Sequence, residues 1–223
     1  MRNPFIEFHP DRFKKREHHA ERIITVKEDV IGKLTEGYLQ ILEEEIDNLS
    51  WMVEHHHIVN VDEKILDDIQ YLEYSFYDIE AFCAQMDNAD SLQLMVPGPA
   101  GLYISALINN SKDGHFVLRL ADYQYTFHFL GYRLPENATL ILEGNAGDFI
   151  GAALNGGSLI INGSVGNWCG AGMLNGDIQV KQNAGEKTGE WMHGGAIRVN
   201  DSIGSIGETR YGGQILQHGK SVD

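Results

Sequence analysis

A repeat with a period of 19 residues constrains this chain more than any other feature. Residues 140–158, 159–177 and 178–196 align without gaps, and residues 197–214 form a fourth copy that is one residue shorter. A period near 20 is typical of solenoids in which each repeat forms one coil and neighbouring coils share a core. The first and third positions of each copy are aliphatic, as an inward-facing strand requires. They are Leu140, Leu159, Ile178 and Ile197, and then Leu142, Ile161, Val180 and Val199.

Glycine recurs at fixed offsets within the copies. Nineteen of the 25 glycines lie between Gly144 and Gly219. Because glycine adopts positive φ at no steric cost, this spacing predicts short strands joined by tight corners, two of each per coil. We therefore expect a parallel β-helix of about four to five coils over residues 140–223. The glycines given this structural role are Gly147, Gly151, Gly157, Gly166, Gly170, Gly176, Gly185, Gly189, Gly195, Gly204 and Gly213.

The negative charge of the chain is concentrated in one segment. The net charge is −15, and residues 28–90 alone contain 17 acidic residues and 2 lysines. Phosphates would be repelled by that segment, so nucleic acid is not a predicted partner. Residues 1–22 mix basic and acidic side chains and predict an N-terminal arm that is ordered only where it docks. A weakly basic arm of this kind leaves nucleic-acid binding as a minor alternative.

The acidic segment predicts a helical hairpin over residues 23–90. Apolar residues recur at spacings of three and four residues over residues 23–54 and again over residues 62–87. Asn60 or Asp62 is the expected N-cap of the second helix. Gly32 and Gly37 predict either a close packing contact or a later helix start. The first helix ends before a run of histidines, His55, His56 and His57.

The histidine clusters are interpreted as polar linker residues. Consecutive histidines on one element point in different directions, whereas zinc ligands are usually spaced along it. The same holds for His18 and His19, so no metal site is predicted. Tyr71, Tyr74 and Tyr77 lie off the apolar seam, where they either anchor a partner or cover the β domain.

Residues 91–139 are predicted to supply strands that lead into the β-helix or cover its open end. The stretch from Val96 to Gly101 contains two prolines and two glycines and marks the boundary between helical and β composition. Residues 102–108 and 115–120 flank an Asp-Gly pair, which is typical of a β-hairpin. Residues 123–129 alternate aromatic and polar side chains, which favours a half-buried strand.

Three motifs resemble one known family. They are Gly131 to Glu136 (GYRLPE), Gly144 to Gly151 (GNAGDFIG) and Gly166 to Met173 (GNWCGAGM). With the glycine spacing, residues 127–219 resemble the GXGXG family, which includes the C-terminal domain of the large chain of glutamate synthase and one of the subunits of formylmethanofuran dehydrogenase. Residues 1–126 carry no such resemblance.

The resemblance implies a right-handed parallel β-helix that holds catalytic domains or subunits in register without being catalytic. The chain lacks the N-terminal cysteine nucleophile, the cysteine clusters and the flavin domain that enzymes with this module use elsewhere. A left-handed hexapeptide β-helix, with a period of 18, is the competing fold. It fits less well because three of the four copies have 19 residues and Glu190 interrupts the aliphatic pattern.

No cofactor site is predicted. Gly170-Ala171-Gly172 is not followed by the helix and acidic residue of a dinucleotide fingerprint. Cys83 and Cys169 are expected to be core residues, and two cysteines provide no disulfide framework, which favours the cytoplasm. No apolar run is long enough to span a membrane, and no signal peptide is recognisable in Met1 to Pro10.

Two functions are left open. The first is a non-catalytic scaffold that associates with a protein partner, or with itself, through the acidic helices or a face of the β-helix. The second is a small-molecule binder or enzyme that uses a groove on the coil face, with His193 or His128 as acid or base. The candidate groove residues are Trp168, Trp191, His193 and Tyr211.

Overall fold

The structure is a computed structural model that describes residues 29–49, 56–86, 97–123 and 125–222. In these residues, helices come first and a seven-stranded sheet follows. The α+β class with a parallel β-helix is therefore confirmed. The elements are α1 (Val30–Leu49), α2 (His56–Ile69), α3 (Phe76–Met86), α4 (Pro97–Asn110), β1 (His115–Leu118), β2 (Thr139–Leu142), β3 (Asn155–Ile161), β4 (Asn175–Val180), β5 (Ala196–Val199), β6 (Gln214–Gln217) and β7 (Lys220–Ser221).

The strands β1 to β6 stack in parallel and in chain order, with one strand from each coil. The register pairs Leu140 with Leu159, Leu159 with Ile178, Ile178 with Ile197 and Ile197 with Ile215. All five side chains are completely buried. The repeat alignment read from the sequence is thus the register of the sheet. The right-handed sense of the coil stays a prediction.

Each coil has one regular strand where the sequence predicted two. Beyond the regular strands, the coils are joined by isolated bridges between Ala184 and Ile203 and between Thr188 and Ile206. Backbone hydrogen bonds continue between the coils there, for example from the Ala184 N–H to the Ser202 carbonyl at 2.9 Å. Turns and these isolated bridges stand in place of the predicted second strand.

The repeated glycines serve two different needs. Gly170 has a φ of +67°, as the corner prediction required. Gly185 has no positive φ, and a Cβ on it would lie 2.7 Å from the Gly166 carbonyl carbon in the preceding coil. Close stacking therefore explains this position, and the prediction of positive φ was wrong for it. The same correction applies to other predicted glycines without a positive φ: Gly147, Gly157, Gly166 and Gly204.

The predicted β-hairpin of residues 102–120 is wrong, because residues 97–110 form α4. Proline is tolerated in a first helical turn, where backbone N–H groups need no intrahelical partner, so Pro97 and Pro99 open a helix instead of breaking one. Strand β1 then pairs in parallel with β2 and begins the β-helix at His115, before the predicted start at residue 140. Among the described residues of 123–129 there is no regular strand, so that prediction is also wrong.

The predicted helix over residues 62–87 is two helices. Helix α2 begins at His56, so Asp62 is not an N-cap, and His56 and His57 are helical and not linker residues. The Asn110 side-chain amide donates to the Ile69 carbonyl at 3.3 Å, which satisfies one carbonyl where α2 ends. Helix α3 is preceded by Ser75, whose N–H and hydroxyl both donate to Asp78.

Helix α1 follows the predicted pattern over the residues that the structure describes. Its first turn is capped by Asp29, whose carboxylate accepts from the Gly32 N–H at 2.9 Å. A Cβ on Gly37 would lie 2.7 Å from the Tyr103 hydroxyl, so this glycine marks a close packing contact with α4. The arm of residues 1–22, the predicted first helical residues 23–28 and His18, His19 and His55 lie outside the described residues.

The helices lie against the first coil. The Ser105 hydroxyl donates to the Phe129 carbonyl at 2.9 Å and accepts from the Gly131 N–H at 3.0 Å. The Phe76 and Phe116 rings meet edge to face at 5.7 Å between their centroids. At the other end, β7 pairs antiparallel with β6 and covers its outer edge. The helical part therefore caps the N-terminal end of the β-helix.

A buried carboxylate ties the last coil to the one before it. Glu190 is 5% exposed and accepts hydrogen bonds from the backbone N–H groups of Glu208 at 3.0 Å and Thr209 at 3.1 Å. We expect Glu190→Ala to lower the free energy of unfolding by about 1.5–3 kcal/mol, because hydrogen bonds to a charged acceptor are lost. Urea unfolding checks this, with the exposed Glu208→Ala as the control. Equal effects of the two substitutions would contradict the role of Glu190.

Candidate functional site

The four groove candidates do not lie in one groove. His193 and Tyr211 are exposed and stack on each other with 4.6 Å between ring centroids. Trp168 instead stacks on Phe149 at 5.0 Å, and Trp191 is 2% exposed. The structure thus brings together His193 and Tyr211 only, and the prediction of a common site with both tryptophans is wrong.

Trp168 belongs to a column of side chains at one corner of successive coils. Phe129, Phe149, Trp168 and Lys187 all have φ between 56° and 59°, the left-handed region that glycine was expected to occupy. The two phenylalanine rings stack at 4.8 Å, and the Lys187 ammonium lies 5.8 Å from the Trp168 ring centroid. Stacking between coils offsets the strain of this backbone conformation. The repeated bulky residue at this offset was the sequence signal that could have revealed the column.

His128 has a structural role in the same corner. Its Nδ1 accepts a hydrogen bond from the Asp148 N–H at 2.9 Å. In the next coil the Asp148 carboxylate accepts from the Asn167 N–H at 2.7 Å, and Asn167 in turn accepts from the Glu186 N–H at 2.8 Å. Each side chain therefore satisfies a backbone donor of the following coil. This contact gives His128 a structural role, and its role as acid or base stays a prediction.

The two cysteines are core residues, as predicted. Cys83 and Cys169 are at most 1% exposed. Burial raises the pKa of both thiols to about 12, so neither is a thiolate near neutral pH. Ile150 and Thr188, which share the column of Cys169, are also completely buried.

A buried ion pair joins the helical part to the first coil. The Arg133 guanidinium donates to the Asp62 carboxylate at 2.6 Å, and the two side chains are 5% and 0% exposed. Burial raises the pKa of Asp62 to about 6, although the Arg133 charge and hydrogen bond favour the ionised form. The neighbouring Glu63 carboxylate raises it further, and the buried Tyr132 ring lies 5.3 Å from the guanidinium carbon. Because both side chains are buried, the ion pair holds α2 against the first coil.

The raised pKa of Asp62 makes stability depend on pH. The pKa of Asp62 is 3.8 in the unfolded chain and about 6 in the folded chain, so the folded chain binds the proton more tightly. The resulting stabilisation is complete below pH 3.8 and is lost as the pH rises through about 6. Relative to Asp62→Asn, the wild-type chain is expected to gain about 1 kcal/mol in free energy of unfolding between pH 7 and pH 5. Urea unfolding of both proteins at each pH measures this. If the difference in free energy of unfolding between the two proteins were the same at pH 7 and pH 5, the raised pKa of Asp62 would be contradicted.

The exposed aromatic residues of the described chain lie mainly on the acidic helical part. Tyr71 is 82% exposed and Tyr77 is 79% exposed, whereas Tyr74 is partly buried and donates to the Leu107 carbonyl at 2.8 Å. Exposed acidic side chains surround Tyr71 in sequence, namely Asp67, Asp68 and Glu73. Tyr74 therefore packs on α4, whereas Tyr71 and Tyr77 face outward, where a partner could contact them.

Comparison of the chain with protein-family models, curated proteins and solved structures finds no match. None of the described helices combines the length and hydropathy that a membrane span requires. Within the described residues, no group of three or more His, Cys, Asp or Glu side chains is placed to hold a metal ion. Fold and surfaces define the class: an α+β protein in which a parallel β-helix carries an acidic helical cap.

Proposed function

We propose that this protein is a non-catalytic scaffold that positions protein partners, with the β-helix as a rigid spacer and the acidic helices as the contact surface. The partners belong to a complex related to glutamate synthase or formylmethanofuran dehydrogenase type oxidoreductases. This relationship rests on the GXGXG resemblance of residues 127–219. A cytoplasmic location and the absence of nucleic-acid binding are part of the same proposal.

The observation that supports it best is the continuous filling of the coil interior. Leu154, Met173 and Met192 form a column of completely buried side chains, and Arg210 ends that column half-buried in the last coil. A closely packed interior of this kind resists deformation. Because the Asp62–Arg133 pair fixes the helical cap to the first coil, the outward-facing tyrosines are held at a constant position relative to the coil.

Association of the purified full chain tests the proposal. Size-exclusion chromatography with light scattering over a range of concentrations reports self-association, and affinity capture from the source cells followed by cross-linking reports other partners. We expect a stoichiometric complex that is lost in a Tyr71→Ser/Tyr77→Ser double variant. A matched double substitution on the β-helix, Asp177→Ser/Arg198→Ser, is expected to leave it intact. A monomer that captures nothing would overturn the proposal.

Small-molecule binding on the coil face is the second candidate, favoured by the stacked and exposed His193 and Tyr211 rings. A planar ligand would stack on this pair as aromatic rings stack on one another. Native mass spectrometry of the purified chain would detect such a ligand. Its retention in His193→Ala would exclude the pair as its site.

A further inference from the structure

A cleft of about 470 Å³ lies between α3 and the segment that follows β1. Helix α3 lines it with Glu80, Ala81 and Ala84, and the other wall is formed by Arg119, Asp122 and Tyr123. The second wall includes a 3-10 helix over Leu120–Asp122, whose Leu120 side chain is buried. Both walls are therefore parts of the packed fold.

The α3 wall of the cleft has small side chains, and the opposite wall includes one aromatic ring. Tyr77, Ala81 and Ala84 are spaced by four and three residues, so they share one face of α3. Tyr77 is 79% exposed on that face, one turn before Ala81. On the opposite wall, Tyr123 packs edge to face on Phe127 with 5.7 Å between centroids. The two alanine methyl groups leave room for an apolar side chain beside the Tyr123 ring, and Tyr77 lies outside the residues that line the cleft.

The cleft has a net negative charge. Glu80 and Asp122 provide two carboxylates, whereas Arg119 is the single cation and also faces Glu143, 3.8 Å from its Nε. The surrounding segment is strongly acidic, with 17 acidic residues and 2 lysines between residues 28 and 90. Long-range attraction would therefore bring a cationic partner to this surface faster than a neutral one.

We propose that this cleft binds a basic segment of a protein partner. One apolar side chain of the segment enters over Ala81 and Ala84, and flanking lysine or arginine side chains pair with Glu80 and Asp122. A cationic side chain also packs on the exposed Tyr77 ring. The proposal rests on the scaffold function proposed above and specifies the surface and the chemistry of its partner.

The test uses the full chain and a labelled peptide in which lysines flank one leucine, with fluorescence anisotropy as the readout. A second peptide has glutamates in place of the lysines. Ala84→Arg fills the cleft, whereas Gln85→Arg makes the same charge change at the next exposed position of α3. We expect Ala84→Arg to weaken binding of the lysine peptide by about tenfold or more, as for a buried contact of an interface, and Gln85→Arg by about twofold.

Several results would overturn the proposal. These are no binding of the lysine peptide, equal binding of the glutamate peptide, or equal losses in Ala84→Arg and Gln85→Arg, since the last outcome reflects net charge alone. A complex in the association experiment that survives Ala84→Arg would refute this site and leave the scaffold function standing, whereas a chain that captures nothing refutes the function itself.

Discussion

Replacing Asp62 with leucine is expected to lower the free energy of unfolding by about 3–5 kcal/mol, because the Arg133 guanidinium would remain buried after losing the Asp62 carboxylate. Arg133 is 5% exposed and its hydrogen bond to Asp62 spans 71 residues of sequence, from α2 to the first coil. The substitution should therefore separate the helical cap from the coil before the coil itself unfolds. Urea unfolding gives the total effect, and hydrogen exchange of α2 and of β4 shows which part opens first.

The double variant Asp62→Leu/Arg133→Met is the decisive comparison. When both charges are replaced by apolar side chains of similar volume, the cost of burying Arg133 without the Asp62 carboxylate disappears, and stability should return to within about 1–2 kcal/mol of the wild type. The two substitutions would then be strongly non-additive. If the double variant were as unstable as the sum of both single variants, the ion pair would not be the contact that orders this interface.

Gly101→Ala is expected to destabilise the docking of α4 on the coil by about 3 kcal/mol or more, because the added methyl group has no room. A Cβ at this position would lie 1.7 Å from the His128 carbonyl oxygen, a backbone atom that cannot rotate away. Helix propensity favours alanine over glycine by about 1 kcal/mol, so any loss must come from the packing. Urea unfolding and limited proteolysis of the helical part measure the effect.

Gly37→Ala is the matched control on α1. Its Cβ would lie 2.7 Å from the Tyr103 hydroxyl, the far end of a side chain that can shift. We expect a change within about 1 kcal/mol, since the gain in helix propensity offsets the local crowding. A similar loss in both variants would show that the approach of α4 to His128 is not the tighter contact.

The β-helix could be predicted from the sequence because its contacts repeat with the sequence. Each coil stacks on the next at the same register, so a position that is aliphatic in every copy has to face the shared core. Leu142, Ile161 and Val180 were placed in one column on this argument, and they are paired and buried. The glycine pattern was informative but ambiguous. It reports both left-handed corners and close approach of neighbouring backbones, and a sequence does not distinguish the two.

The helical part could be predicted only in outline. Apolar periodicity located α1 and the seam of α2 and α3, because those side chains face one core. Where α2 ends, the Ile69 carbonyl accepts from the Leu72 N–H and also from Asn110, 41 residues further along the chain, and the second contact has no local signal. Residues 97–110 have the prolines and glycines of a loop, yet they form α4, and the missing side chain of Gly101 allows this helix to approach the coil closely.

The candidate sites diverged from the sequence interpretation for a similar reason. His193 and Tyr211 occupy equivalent positions of adjacent coils, so the repeat places their rings together. Trp168 and Trp191 lie at other positions of the coil. Trp168 stacks on Phe149, and Trp191 is buried. The cleft beside α3 unites residues about 40 positions apart, Glu80 and Asp122, and no local pattern indicates such a pairing.

The sequence by itself determined the repeating coil, its aliphatic columns and the acidic character of the helices, because these are properties of local periodicity and composition. The tertiary structure decided where the helices break, which end of the coil they cover and which side chains share a surface. Those features depend on contacts between residues far apart in the chain. A contact such as the Asp62–Arg133 ion pair stabilises the protein only once the helices have packed against the coil.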